Sequence, residues 1–184
     1  MTRSQVYVGI GGNVGDRMGT LCSAVASIHG GAIADTRVVS ASPVYETHPV
    51  GPSEGAFLNA VIGLSTSLEP AALLEALLGI EAAHGRTRSK RWEARTLDLD
   101  ILIWMSEEHG RPCVRVIDGP QLRVPHPSAV ERDFVLQPLA DLTRDTPVIG
   151  GRSASDLLGD IPVQARTILR QLEQPVWMPS APSA

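Results

Sequence analysis

The chain has 184 residues and a mass of 19.6 kDa, with 43% hydrophobic and 20% charged residues, enough apolar content for one packed domain and too much for a disordered chain. A net charge of −4 disfavours a protein built to coat nucleic acid, no apolar run approaches the ~20 residues of a membrane span, and Cys22 and Cys113 show neither disulfide-framework nor metal-ligand spacing. The N-terminus lacks the apolar stretch of a secretory signal, so a cytoplasmic location is expected.

Residues 5–10 read as a first strand ending in a glycine turn at Gly11, Gly12, Asn13 and Gly15. A helix follows from Asp16 to about His29, with Met18, Leu21, Cys22, Val25 and Ile28 at helical spacing and Gly30 and Gly31 as its stop. Residues 37–46 read as a second strand, with an edge or bulge at Pro43, and residues 57–66 as a third. Pro70 opens a second helix carrying Leu73, Leu74, Leu77, Leu78 and Glu81, ended by Gly85. Residues 96–104 form a fourth strand. This βαββαβ order predicts an α+β, ferredoxin-like sheet with helices packed on it. A hairpin at Glu107–Gly110, a strand near 114–117, a helix from near Pro127 and short helices over 154–173 complete one domain spanning 1–173. The Pro-, Ser- and Ala-rich tail 174–184 is expected to be disordered.

Of sixteen cationic residues, only Lys90 is lysine, and its neighbours Ser89 and Arg91 rule out a phosphate loop of the G-x-x-x-x-G-K-[ST] kind. Phosphate handling would fall to arginine forks and a metal. Asp98 and Asp100 alternate on the fourth strand with Leu97, Leu99, Ile101 and Ile103, so both carboxylates share one face about 7 Å apart. The same face continues with Leu102 and Trp104. Such a pair is either a solvated polar face or a site for a hard cation, and oxygen-only ligands suit Mg²⁺. Just upstream, Arg86, Arg88, Arg91 and Arg95 surround Trp92: a solvated basic loop, or phosphate forks with a ring to stack on.

Glu81 sits on an apolar stripe, either snorkelling at the helix end or facing a site. His126, held between Pro125 and Pro127, is fixed in direction and can be structural or functional. Arg132 and Phe134 follow. Phe57 and Asn59 share a face of the third strand, and an inward amide needs partners such as the amide edge of a heterocycle. The glycine turn does not meet G-x-G-x-x-G, because Val14 interrupts it, and no acidic residue closes a second parallel strand.

Together, GGNVGD, SPVYETHPVGP, FLNAV, IE followed by R-x-R-x-x-RW-x-x-R, TLDLDIL and VPHPSAVERDFVLQPL resemble the 6-hydroxymethyl-7,8-dihydropterin pyrophosphokinase family from about Val6 to Leu142. The resemblance implies transfer of the pyrophosphoryl group of ATP to the pterin hydroxymethyl group, with release of AMP, in folate biosynthesis. It implies two Mg²⁺ ions on Asp98 and Asp100, and catalytic roles for Arg86 and Arg95 in a mobile loop. An ATP site is implied at Glu81, Arg88, Arg91, Trp92, Ile101, Arg123, His126 and Arg132. A pterin pocket is implied at Thr47, Pro49, Val50, Phe57, Asn59, Trp92 and Phe134. The implied partners are these small molecules, with no nucleic acid or membrane, and nothing in the sequence calls for more than a monomer. Two departures stand out: Gly12 where the family commonly has Ser, and Glu93-Ala94 where it commonly has Gly-Pro. An RNA-binding sheet and a silent nucleotide-binding relative are the competing readings. The first lacks the aromatic strand such sheets carry, and the second would make no AMP.

Overall fold

The segment SQVYVGIGG forms β1 (Ser4–Gly12), a strand buried along most of its length. The computed structural model describes residues 3–50, 55–85, 95–108 and 110–178. Asp16 caps α1 (Arg17–Ser27) by accepting the Gly19 N–H at 2.9 Å. The helix then widens into one π-type turn, Ile28–Ala32, where Gly31 supplies a φ of 97°. The strand expected over 37–46 is two, β2 (Thr36–Ala41) and β3 (Val44–Thr47). Both run beside β4 (Phe57–Thr66). Pro43 has no N–H for the ladder, and in the gap the Ser42 hydroxyl accepts the Val61 N–H at 2.9 Å instead.

Pro70 occupies the first turn of α2 (Pro70–Ala83), and Leu73, Leu77, Ile80 and Glu81 form its buried stripe. β5 (Asp98–Glu108) turns through a hairpin into β6 (Arg111–Val114), and β7 (Ile117–Asp118) pairs with β8 (Arg123–Val124). The helix expected from Pro127 begins later: a single 3₁₀ turn, Ala129–Glu131, leads into α3 (Asp133–Thr143). β9 (Pro147–Ile149) and β10 (Arg152–Ser153) make a small ladder before α4 (Ala154–Asp160). The helices expected over 154–173 stop there, apart from a 3₁₀ turn at Val163–Ala165. Residues Ile168–Leu172 form a strand, β11, on the edge of the main sheet. Nor does the chain leave the body at Gln174: Val176 is 4% exposed, and the Trp177 ring lies 5.5 Å from His29. Two apolar side chains so close to the core outweigh the polar composition around them.

The main sheet runs β11-β3-β4-β1-β5-β6, with β2 also on β4. The pairings of β1 with β4 and β5 are antiparallel, which gives the ferredoxin-like order for the first four sequence-predicted strands. α1 and α2 cover one face over Val6, Val8, Ile10, Ile62, Leu64 and Leu99. α3 and α4 cover the other over Tyr7, Val61, Leu102 and Ile103.

β5 departs from simple alternation. Tyr7 pairs with Ile103 and Val8 with Ile101, so Leu102 is the extra residue of a bulge. Leu102 and Ile103 both enter the α3 layer, and Trp104 is carried to the α1 and α2 layer. Trp104 therefore leaves the face of the two aspartates, on which strict alternation would have placed it.

Candidate active site

A cleft of about 140 Å³ opens on the α3 face, where one end of β1, β3, β4 and β5 meets the start of α3. Its floor follows from the strand register. Gly11 stands opposite Asp98 on one side and Asn59 on the other, and Gly9 stands opposite Asp100 and Val61. Opposed residues of an antiparallel pair point to the same face. The two carboxylates and Asn59 therefore rise on either side of a strand with no side chains there. A Cβ on Gly11 would lie 2.5 Å from Asn59 Oδ1, so that position admits only glycine without movement.

On the β5 side, Arg95, Asp98, Asp100 and Leu102 line the cleft. Arg95 is ion-paired with Asp98. The main chain of Arg95 is clamped by Asn13: its N–H donates to Asn13 Oδ1 at 2.8 Å, and its carbonyl accepts the Asn13 N–H at 2.9 Å. Burial, and then the charge of Asp98, push the Asp100 carboxyl above its ordinary value, against the pull of His126, Arg95 and Arg132. Two carboxylates held this way favour a cation, and an all-oxygen pair suits Mg²⁺. No three His, Cys, Asp or Glu side chains converge among the described residues, so a metal here would take its remaining ligands from water and substrate.

The opposite wall carries Thr47, His48, Val50, Phe57 and Asn59, and α3 supplies Phe134 and Val135. Asn59 Nδ2 donates to Thr47 Oγ1 at 2.9 Å, which fixes the amide plane in the cleft. Arg132 lines the cleft too, with its guanidinium carbon 5.7 Å from the centre of the Phe134 ring.

Other expected site residues stand elsewhere. Pro49 lies between two lining residues without lining the cleft itself. The Ile101 side chain is buried in the opposite core, because alternation from Asp100 turns it away, so it offers no ligand group to the cleft. Arg123 is exposed on β8 and paired with Asp118 at 3.0 Å, outside the cleft lining. His126 donates its main-chain N–H to Leu102 O at 2.9 Å, and its Nδ1 accepts the Ser128 N–H at 3.2 Å. It does not line the cleft, and bears on it by the pull of its charge on the Asp100 carboxyl.

Glu81 neither snorkels nor lines the cleft. It is 1% exposed, and its Oε1 accepts the Leu99 N–H at 2.7 Å. Arg86, Arg88, Arg91 and Trp92, with Glu93 and Ala94, lie outside the described residues. The sequence reading missed His48 and the glycine floor. The alternation of Gly9 and Gly11 with buried Val8 and Ile10 was the available signal.

The model of the 7,8-dihydro-6-hydroxymethylpterin-pyrophosphokinase family matches residues 7–144. The chain belongs to this family. It is 38% identical over 161 residues to the 2-amino-4-hydroxy-6-hydroxymethyldihydropteridine pyrophosphokinase of Pseudomonas aeruginosa, covering 87% of this chain and 93% of that one. It is 45% identical over 137 residues to the protein of the same name from Bacillus subtilis, covering 74% and 76%. Among solved structures, the fold resembles an HPPK-DHPS in complex with substrates, with a TM-score of 0.56 at 12% identity. It also resembles the Plasmodium falciparum HPPK-DHPS triple mutant with pteroate, with a TM-score of 0.54 at 14% identity. In each case the match covers 85% of this chain and 43% of the other.

Proposed function

We infer that the chain works as its family does, transferring the pyrophosphoryl group of ATP to 6-hydroxymethyl-7,8-dihydropterin and releasing AMP in folate biosynthesis. The observation that carries the site assignment is the cross-strand row Asp98, Gly11, Asn59, which sets an acidic wall opposite an amide and aromatic wall across a bare floor. The acidic wall suits the polyphosphate and its cations. The far wall suits a flat heterocycle, with Asn59 on the amide edge and Phe57 and Phe134 against the ring faces.

Asp98 and Asp100 would hold two Mg²⁺ ions, which when bound neutralise charge on the polyphosphate oxygens. Arg95, ion-paired with Asp98 on the cleft wall, would stand within reach of the phosphate oxygens, which guanidinium forks bind well. Arg132 faces the same space from α3. The protein need only align the hydroxyl with the β-phosphorus and exclude water. Arg86, Arg88, Arg91 and Trp92 complete the ATP site in this reading, on the strength of the family pattern. A cytoplasmic monomer fits small, freely diffusing substrates.

The test is incubation with ATP, Mg²⁺ and the hydroxymethyldihydropterin. AMP and a pterin diphosphate should form one to one; ADP as the product would overturn the assignment. Asp98→Asn and Asp100→Asn should each abolish turnover while melting near the wild-type temperature.

A further inference from the structure

Asp133 lies between two cleft residues, Arg132 and Phe134, yet its own carboxylate turns away and is 2% exposed. Three donors from one dipeptide converge on it. Oδ2 accepts the N–H groups of Thr167 and Ile168 at 2.6 and 2.9 Å, and Oδ1 accepts the Thr167 hydroxyl at 2.7 Å. The same dipeptide reaches the other wall of the cleft. Thr167 O accepts the His48 N–H at 2.9 Å, and Ile168 is the ladder partner of Thr47. Thr167–Ile168 is thus a hydrogen-bonded bridge from the start of α3 to the end of β3. It lies beyond the residues the family model matches.

The far side of β11 is tied down as well. Arg170 pairs with Glu46 Oε2 at 2.8 Å, Glu46 Oε1 with Arg17 at 3.2 Å, and Arg17 donates to Ala56 O at 2.7 Å, one residue before Phe57. The geometry assigns Asp133 as a positioning residue that, through Thr167–Ile168, sets the distance between the Phe134 wall and the Thr47 wall and so preorganises the cleft for the flat ring. This rests on the pterin pocket proposed above. A pocket held open at the right width loses less freedom when its ligand binds, so loosening it weakens affinity for the ring and leaves nucleotide affinity nearly intact. Charge-assisted hydrogen bonds are the strong ones, so three on one buried carboxylate make a stiff joint.

The test is calorimetric titration of the full-length chain with 6-hydroxymethyl-7,8-dihydropterin in the presence of Mg²⁺ and a non-hydrolysable ATP analogue. Thr167→Val keeps the side-chain shape and deletes one bond; Thr167→Ser restores the hydroxyl; Asp133→Asn weakens the joint without emptying the site. Thr167→Val and Asp133→Asn should bind the pterin about 10-fold more weakly, with nucleotide affinity changed less than about twofold, and Thr167→Ser should bind as wild type. Wild-type pterin affinity in Thr167→Val and Asp133→Asn, even with lowered melting temperatures, would make the joint purely structural and overturn the inference. So would equal losses for both ligands, or a Ser variant as weak as Val. Asn59→Ala serves as the control. If it too binds pterin normally, the pocket assignment itself falls, and this inference with it.

Discussion

Removing the Glu81 carboxylate should damage the strand that carries Asp98 and Asp100 without touching the cleft. Among the described residues, β6 pairs with Met105–Glu108 and nothing pairs outside the first half of β5, which is a sheet edge there. Three of the strand's outward main-chain groups are satisfied by neighbours: the Leu99 N–H by Glu81, the Leu102 carbonyl by His126, the Trp104 carbonyl by Arg115. Leu99 lies between Asp98 and Asp100, so the Glu81 bond holds the backbone that aims both. Glu81→Ala leaves a buried N–H without this acceptor, a loss of about 2 kcal/mol for a bond to a charged group. For a chain of this size that is a fall of roughly 4–8 °C in melting temperature. A shift of the strand by ~1 Å would cost on the order of 10²-fold in kcat. Glu81→Gln keeps an acceptor in place and should recover at least half of the lost melting temperature. Thermal melts with steady-state kinetics on both variants decide the matter. If Glu81→Ala melts with the wild type and only the KM for ATP rises, Glu81 touches nucleotide and the strand-anchoring argument is wrong.

Asn59→Ala should weaken pterin binding at least 10-fold more than ATP binding, because the ligand's amide edge loses its partner; equal losses by titration would point to a misplaced pocket. Arg95→Ala should lower kcat by on the order of 10³-fold with little change in ATP affinity, as expected of a cation that acts on developing charge. Wild-type kcat with lost ATP binding would make Arg95 a ground-state anchor. Glu46 titrates below its ordinary 4.5, first because Arg170 hydrogen-bonds it and also because Arg17 does. A depressed folded value means the carboxylate stabilises the fold above the unfolded value and loses that contribution as pH falls through the folded one. The melting-temperature gap between wild type and Glu46→Gln should therefore be present at neutral pH and close in acid. A gap that persists in acid would refute the ion-pair account.

The parts of the fold written in local periodicity were legible. β4 spans the predicted residues 57–66, and α2 begins at Pro70. That Asp98, Asp100, Phe57 and Asn59 line one cleft was readable because a two-residue period puts strand side chains on one face, while Arg132 and Phe134 were readable only from the motif that carries them. What local pattern cannot carry was misread. The bulge at Leu102 depends on how β1 and β5 fit each other, and it reverses the facing of Trp104. β11, with the sequence ILRQL, lacks strict alternation, and becomes a strand because β3 offers a free edge and Asp133 a buried acceptor. Glu81 looked ambiguous because its partner is a main-chain N–H, which no side-chain pattern reveals.

The glycine floor has a further consequence. β1 is the central strand of the sheet, flanked by β4 and β5, and the middle of a sheet is where bulky, branched side chains usually add most to cohesion. Here Gly9 and Gly11 leave its surface bare at the cleft end, beyond Tyr7. Glycine inside a strand weakens it by roughly 0.5–1 kcal/mol relative to alanine. A Cβ on Gly9 would meet Leu102 at 3.4 Å, an ordinary contact, so alanine there should knit the sheet more tightly while making the cleft shallower. Selection for heat resistance and selection for turnover would then pull in opposite directions at one atom. A library selected only for thermostability should accumulate substitutions at Gly9 that a library selected for folate production purges.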